Sequence, residues 1–158
     1  MDRISILLVD DIKGYRIALE LTLRRNLGIN GECDFLHAAD GIDALEIFEE
    51  EHIDLILTDL MMPRADGIFL IKNLVRDRGY DPERVMVISG LGDDITVKHA
   101  LNKLGINTMY SFINKDGDIG NMLNKISKRL NHLGIGHIMD INRTGYKNRK
   151  ELMNSYGA

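Results

Sequence analysis

Five polar side chains stand where they could act together on a phosphoryl group: Asp10, Asp11, Asp59, Ser89 and Lys115. Each lies at or just past the end of a short apolar run: residues 4–9, 53–57, 85–88 and 108–113. Such runs suit strands buried on both faces of a parallel sheet, whose carboxyl ends share one edge, where open α/β sheets place their chemistry. Three carboxylates crowded at that edge repel one another, and a hard divalent cation with oxygen ligands, Mg²⁺, relieves them. Lys115 and the Ser89 hydroxyl could then hold the oxygens of an incoming phosphoryl group. That leaves Asp59 as the nucleophile that forms an acyl phosphate.

The elements that must position these groups alternate along the chain. After the first strand, Ile12, Tyr15, Leu19 and Leu23 recur at helical spacing until Asn26-Leu27-Gly28. Residues 33–38 form a second strand, and residues 41–50 a short helix with Ile42, Leu45 and Phe48 along one face. The third strand ends at Asp59, where Pro63 removes a backbone donor and Gly67 permits a turn into a helix marked by Ile68, Ile71, Leu74 and Val75. That helix gives way at Arg78-Gly79. Asp93-Asp94 can cap a fourth helix that Gly105 closes, and residues 108–113 read as the fifth strand. Ile119, Met122, Leu123, Ile126, Leu130 and Leu133 give the best-patterned helix of all. Strand–helix alternation predicts an α/β fold with a doubly wound parallel sheet and right-handed crossovers.

The composition, 44% hydrophobic and 28% charged, is that of an ordinary globular protein, and residues 1–133 suffice for one domain. Residues 134–158 lose the periodicity and read as a flexible or conditionally helical tail. They carry Arg143, Lys147, Arg149 and Lys150 against Asp140 and Glu151, a charge of +2 that leaves −6 for the preceding domain out of −4 overall. That balance disfavours nucleic-acid binding. A lone cysteine, Cys33, excludes an internal disulfide framework and reads as a packing residue. No apolar run reaches the roughly 18 residues a membrane span requires, and a cytoplasmic protein is expected.

Leu-Leu-Val-Asp10-Asp11, Thr-Asp59-Leu-Met-Met-Pro63 with Gly67, Ser89-Gly90 and Lys115 together resemble the receiver domain of two-component response regulators, over about residues 4–131. Each motif alone is weak; five in order at successive strand ends are specific. The resemblance implies a flavodoxin-like (βα)5 fold with strand order 2-1-3-4-5. It implies phosphorylation of Asp59 by a histidine kinase or histidine phosphotransfer protein. It also implies Mg²⁺ held by Asp11, Asp59 and the Met61 backbone carbonyl, with Asp10 acting through a metal-bound water. Ser89 and Lys115 would engage the phosphoryl oxygens, and Phe112, or else Tyr110, would change rotamer with them. Two departures stand out. Asp116 replaces the usual proline after the lysine, which predicts a trans peptide there, and the interval from Ser89 to Lys115 is a few residues longer than usual.

Met61 and Leu91, two positions beyond Asp59 and Ser89, would flank the path of the hydrolytic water. Neither can orient it, so slow loss of the phosphoryl group is expected. Ile17 and Leu21 lie off the buried stripe of the first helix, where a phosphodonor could dock. The basic residues Lys125, Lys128 and Arg129 read as a solvated face.

The leading function is therefore a stand-alone signalling switch, not an enzyme, that assists its own phosphorylation and dephosphorylation. It would act by protein contact, with phosphorylation-dependent homodimerisation as one mode. Too few residues follow Leu133 for a DNA-binding output domain. A phosphorylation-independent interaction module on the same scaffold is the alternative. A haloacid-dehalogenase-like phosphatase is disfavoured, because the acids after the first strand are adjacent rather than spaced as Asp-x-Asp.

Overall fold

A computed structural model describes residues 3–27, 33–91 and 94–135. Five parallel strands, β1 (Ile4–Val9), β2 (Cys33–Ala38), β3 (Leu55–Thr58), β4 (Val85–Ser89) and β5 (Phe112–Asn114), form one sheet in the order β2-β1-β3-β4-β5. This is the expected order. The helices are α1 (Lys13–Asn26), α2 (Gly41–Glu50), α3 (Gly67–Lys72), α4 (Ile95–Lys103), the single turn α5 (Thr108–Ser111) and α6 (Ile119–His132).

Because successive side chains of a strand point to opposite faces, β1 divides its apolar residues between two cores. Ile6 and Leu8 join Leu19 and Leu23 of α1 and Leu123, Ile126 and Leu130 of α6. Leu7 and Val9 instead meet Ala44 of α2 and Leu70 of α3. Farther along that second face, Val85, Val87 and Phe112 pack on Ile71, Leu101 and Leu104. Cys33 lies in the first core at 1% exposure, and burial pushes its thiol pKa up to about 12, so it is a packing residue. The two-sided burial accounts for the continuous apolar runs of the central strands.

Several local expectations change. Strand β3 begins at Leu55 rather than Ile53; Ile53 is still buried, its carbonyl accepting a hydrogen bond from the Tyr80 hydroxyl. In α2 the buried positions are Gly41 and Ala44, whereas Ile42 is exposed. Helix α3 continues as a π-helical segment, Asn73–Asp77, ahead of Gly79 at φ +64°.

The largest change concerns residues 108–113. Residues 108–111 form the helical turn α5, and only Phe112 and Ile113 of that stretch are strand. Asn107 drives the change, its side chain accepting from Met109 N at 3.1 Å and its carbonyl from Ser111 N at 2.8 Å. Asn side chains favour such turns because they mimic backbone acceptors. Tyr110 and Phe112 therefore do not share a strand face: Tyr110 is exposed and Phe112 buried. The extra residues between Ser89 and Lys115 fall in a region that includes this turn. Gly28 and Asp93, proposed helix boundaries, and residues 136–158 of the tail lie outside the described residues.

Candidate functional site

Strand register brings the chemistry together. Val9 pairs with Thr58, so Asp10 and Asp59 emerge side by side, and Asp59 N donates to Val9 O at 2.8 Å. Ser89 pairs with Asn114, and Lys115 N donates to Ser89 O at 3.0 Å. One carboxylate oxygen from each of Asp10, Asp11 and Asp59 lies within 4.8 Å of the others. Asp10 and Asp59 are buried and Asp11 is exposed, giving the cluster a covered floor and an open side.

Lys115 reaches back over this floor. Its Nζ donates to Asp10 Oδ2 at 2.5 Å and to Asp59 Oδ2 at 3.0 Å, and lies 4.2 Å from the centre of the Tyr15 ring. Burial acts to lower the ammonium pKa, but the hydrogen bonds to Asp10 and Asp59 outweigh it and raise the pKa above its ordinary value. Burial likewise raises the Tyr15 phenol, against the opposing pull of Lys115.

The remaining oxygens of the two buried aspartates are also occupied. Asp59 Oδ1 accepts from Leu60 N at 2.6 Å and from Met61 N at 3.4 Å, and Asp10 Oδ1 accepts from Ile12 N at 2.8 Å. Asp10 therefore shapes the turn before α1, whose N-cap position is Ile12, which makes no side-chain cap bond. Ser89 is fully buried, with its Oγ accepting from Leu91 N at 3.3 Å. Formally, three carboxylates against one ammonium leave two negative charges, which a divalent cation would balance. The all-oxygen donor set suits a hard ion.

The loop after Asp59 is held closely. Gly67 must be glycine because α3 starts against that loop: an added Cβ would lie 2.3 Å from Asp59 O. The requirement is for space. Between them, Ala65 N donates to Pro63 O at 2.7 Å, closing a three-residue turn about Arg64. At φ 62°, Arg64 has the rare sense of that turn, and a non-glycine residue there carries about 1–3 kcal/mol of strain. Its guanidinium binds Asp40 at 2.5 Å and Asp43 at 2.8 Å, both belonging to the N-terminus of α2.

At the opposite edge of the sheet, Arg129 is buried, contrary to the solvated face expected of it. It donates to Glu83 O at 2.7 Å and to Ser111 Oγ at 2.8 Å, while Lys125 donates to Phe112 O at 2.9 Å. Glu83, Ser111, Lys125 and Arg129 help line a cleft of about 630 Å³, together with exposed Met109 and Tyr110 and with none of the site carboxylates in it. It shares no lining residue with Asp10, Asp11, Asp59, Ser89 and Lys115. Among the described residues no helix is long and apolar enough to cross a membrane. There is also no cis peptide among them, so Lys115–Asp116 is trans.

The family model of the response regulator receiver domain matches residues 6–127. The chain belongs to that family. Receiver domains of this family are signalling domains of two-component systems, and the five motif residues fall inside the match. The protein PilG of Pseudomonas aeruginosa is 40% identical over 75 residues, covering 46% of this chain and 52% of PilG. The response regulator MprA of Mycobacterium ulcerans is 40% identical over 78 residues, covering 49% of this chain and 31% of MprA. The chain thus spans about half or less of the curated relatives it matches. Among solved structures, the receiver domain of Francisella response regulator 1452 has a TM-score of 0.61 at 26% identity, covering 90% of this chain and all of that one. The chemotaxis response regulator CheY4 of Vibrio cholerae has a TM-score of 0.67 at 20% identity, covering 81% and 99%, and supports the fold alone.

Strand-end positions singled out Asp10, Asp11, Asp59 and Lys115, which the structure brings together, and Ser89 at the neighbouring strand end, whereas three residues in or beside the site carried no such signal. Tyr15 was read only as part of the α1 stripe, although a ring one turn after Asp11 can reach the same edge. Arg64 and Asp40 gave no signal, since a pair 24 residues apart becomes visible only once β2 and β3 are placed.

Proposed function

We propose that this receiver domain is a phosphorylation-activated switch in which Asp59 takes a phosphoryl group from a phosphohistidine donor, a histidine kinase or a histidine phosphotransfer protein. The observation that carries the reading is the Lys115 ammonium bridging Asp10 and Asp59, with the Asp11 carboxylate beside them. An oxygen of Asp59 attacks phosphorus, the phosphorus–nitrogen bond to the donor imidazole breaks, and the imidazole leaves with the bonding pair. Lys115, already held against Asp59 Oδ2, follows the charge onto the phosphoryl oxygens. Ser89, whose hydroxyl accepts from Leu91 N, would engage those oxygens as well.

Asp10, Asp11, Asp59 and the Met61 carbonyl would hold Mg²⁺, which supplies positive charge against that building on the phosphoryl group. Leu60 N and Met61 N fix the orientation of the Asp59 carboxylate before reaction. Phe112, buried at the start of β5, is the switch aromatic in this reading, and Tyr110, in the preceding turn and exposed, is given partner contact instead.

Donor docking is supported by the exposed Ile17 and Leu21, one helical turn apart on α1, and by Ile12 at its start. Output by protein contact is supported by the cleft beside α6, whose lining includes exposed Met109 and Tyr110. Incubation with phosphoramidate and Mg²⁺ followed by intact mass tests the switch. The wild type should gain one phosphoryl group and Asp59→Ala none. Failure of both to gain it would favour a phosphorylation-independent interaction module.

A further inference from the structure

The loop from Asp59 to Gly67 carries the Met61 carbonyl, yet little packing holds its apex. At the apex Met61, Pro63 and Arg64 are exposed and Met62 is half-buried against the second core, while Asp59, Leu60, Ala65 and Gly67, towards the two ends of the loop, are buried. What fixes the loop is a set of polar ties. Gly67 N donates to Leu60 O at 3.0 Å and Ala65 N to Pro63 O at 2.7 Å, while Gly41 N donates to Ala65 O at 2.9 Å. The side chain of Arg64 then spans from the apex to α2.

We propose that Arg64 is a positioning residue: by clamping the loop apex to Asp40 and Asp43, it holds the Met61 carbonyl and the Asp59 carboxylate in the arrangement that takes up the cation. The inference rests on the Mg²⁺ reading of the site given above and adds a residue to it that makes no contact with the phosphoacceptor.

Four observations converge on it. Arg64 is the one non-glycine residue at positive φ among the described residues, and such strain persists only where surroundings over-determine it. Its main partner, Asp40, is only 3% exposed, unlike the solvated acids of most surface ion pairs. Asp40 is itself immobilised, because its Oδ1 accepts from Ile42 N and Asp43 N at 2.9 Å each as the cap of α2. The guanidinium therefore ties the loop to a fixed point. Finally, the planar fork engages two acids through separate nitrogens, Nε to Asp40 and an Nη to Asp43, in a fixed geometry.

Glycine is the incisive replacement. It adopts positive φ without strain, so Arg64→Gly removes the clamp while leaving the turn accessible. Asp40→Asn keeps a side chain that caps α2 but removes the more buried of the two charges facing Arg64. Calorimetric titration with Mg²⁺ alone gives a readout independent of phosphorylation. Phosphoramidate assays across Mg²⁺ concentrations then separate cation uptake from the reaction.

The expected result for Arg64→Gly is Mg²⁺ binding weakened about tenfold, the lower end for groups that orient metal ligands, with an unchanged phosphorylation rate at saturating Mg²⁺. Asp40→Asn, which leaves Asp43 on the guanidinium, should weaken binding in the same direction and by no more, and the double variant should be no weaker than Arg64→Gly alone. Unchanged Mg²⁺ affinity in Arg64→Gly overturns the proposal. So does a shift in Arg64→Gly that Asp40→Asn lacks, which would assign the effect to the freedom of glycine. A wild type that takes up no Mg²⁺ overturns the cation reading itself, a result distinct from a wild type that binds and variants that bind equally well.

Discussion

Each edge of the sheet holds a cation, Arg129 buried and Lys115 partly so, and they treat it in opposite ways. At the amino-terminal edge, Arg129 meets neutral acceptors, the Glu83 carbonyl and the Ser111 hydroxyl, in fixed positions between β4, β5 and α6. At the carboxyl-terminal edge, Lys115 meets two carboxylates and a third lies close by, so it cannot satisfy the charge around it. The first arrangement is complete and structural. The second is left two charges short and can be completed only by something that arrives. A buried ion pair is weak evidence of stability in itself; surplus charge of one sign at an open edge points to ligand chemistry.

Lys115→Ala should break the contrast most strongly. Phosphorylation from phosphoramidate should fall by about a hundredfold, the scale for losing one preorganised donor. The same variant leaves Asp10 and Asp59 facing each other unpaired. In chelator it should be destabilised by about 3 kcal/mol, the low end for breaking a buried pair, and Mg²⁺ should restore much of that. Thermal melts with and without Mg²⁺ check it; a deficit that Mg²⁺ leaves untouched would place Lys115 in the same structural class as Arg129.

Arg129→Ala is the mirror experiment. It strands a buried carbonyl and hydroxyl and should cost about 2 kcal/mol, as for lost hydrogen bonds to a charged group. Urea unfolding should show that loss equally with and without Mg²⁺. The rate of Asp59 phosphorylation should not change, because the cleft side of the molecule takes no part in the chemistry.

A smaller effect separates the edges by pH. Burial acts to raise the Asp40 pKa, but the hydrogen bond from Arg64 and the backbone bonds from Asp43 and Ile42 win and hold it below its ordinary 3.8. A carboxylate with a depressed folded-state pKa stabilises the fold above the unfolded value and loses that contribution as pH falls through the folded one. Asp40→Asn should therefore flatten the decline of stability below about pH 4. Arg129, whose partners do not titrate in that range, should leave the acid limb unaltered when replaced by Ala. Melting temperatures from pH 2 to 6 distinguish the two.

How much of this was legible in the sequence differs between the edges in the same sense. The carboxyl-terminal edge was readable because each residue follows an apolar run, and parallel strands bring their ends together whatever their separation in the chain. Asp10, Asp59 and Lys115 needed only strand order. The amino-terminal edge was not, because Arg129 occupies one flank of a well-patterned amphipathic helix. Charge there normally means solvent, and its burial depends on the Asn107-driven turn that replaced the first half of the expected fifth strand. Periodicity could not find that turn, since Thr108 and Tyr110 are of strand-favouring type, and Met109 and Tyr110 are large apolar side chains yet exposed. Arg64 was hidden for another reason: its role depends on a positive φ that no residue type but glycine announces.

The finest distinction lies within the carboxyl-terminal edge, between the groups proposed to act on the phosphoryl group and those proposed to set how long it stays. Met61 is exposed at the mouth, and Leu91 is half-buried against the Val85–Val87 core. Neither side chain can hydrogen-bond a water in line with the phosphorus–oxygen bond of an acyl phosphate. With Mg²⁺ present and donor removed, the phosphorylated wild type should decay slowly. Met61→Asn keeps the backbone carbonyl as a cation ligand and adds an amide that can orient water, so it should shorten the lifetime several-fold without changing the Mg²⁺ requirement. Leu91→Gln should do less, because its backbone N–H is bound to Ser89 Oγ and its side chain is tied into the core. Intact-mass time courses measure both. A wild-type phosphoryl group that is lost rapidly, at a rate unchanged by either substitution, would mean that water is positioned by groups already at the site, Tyr15 and Lys115 first among them.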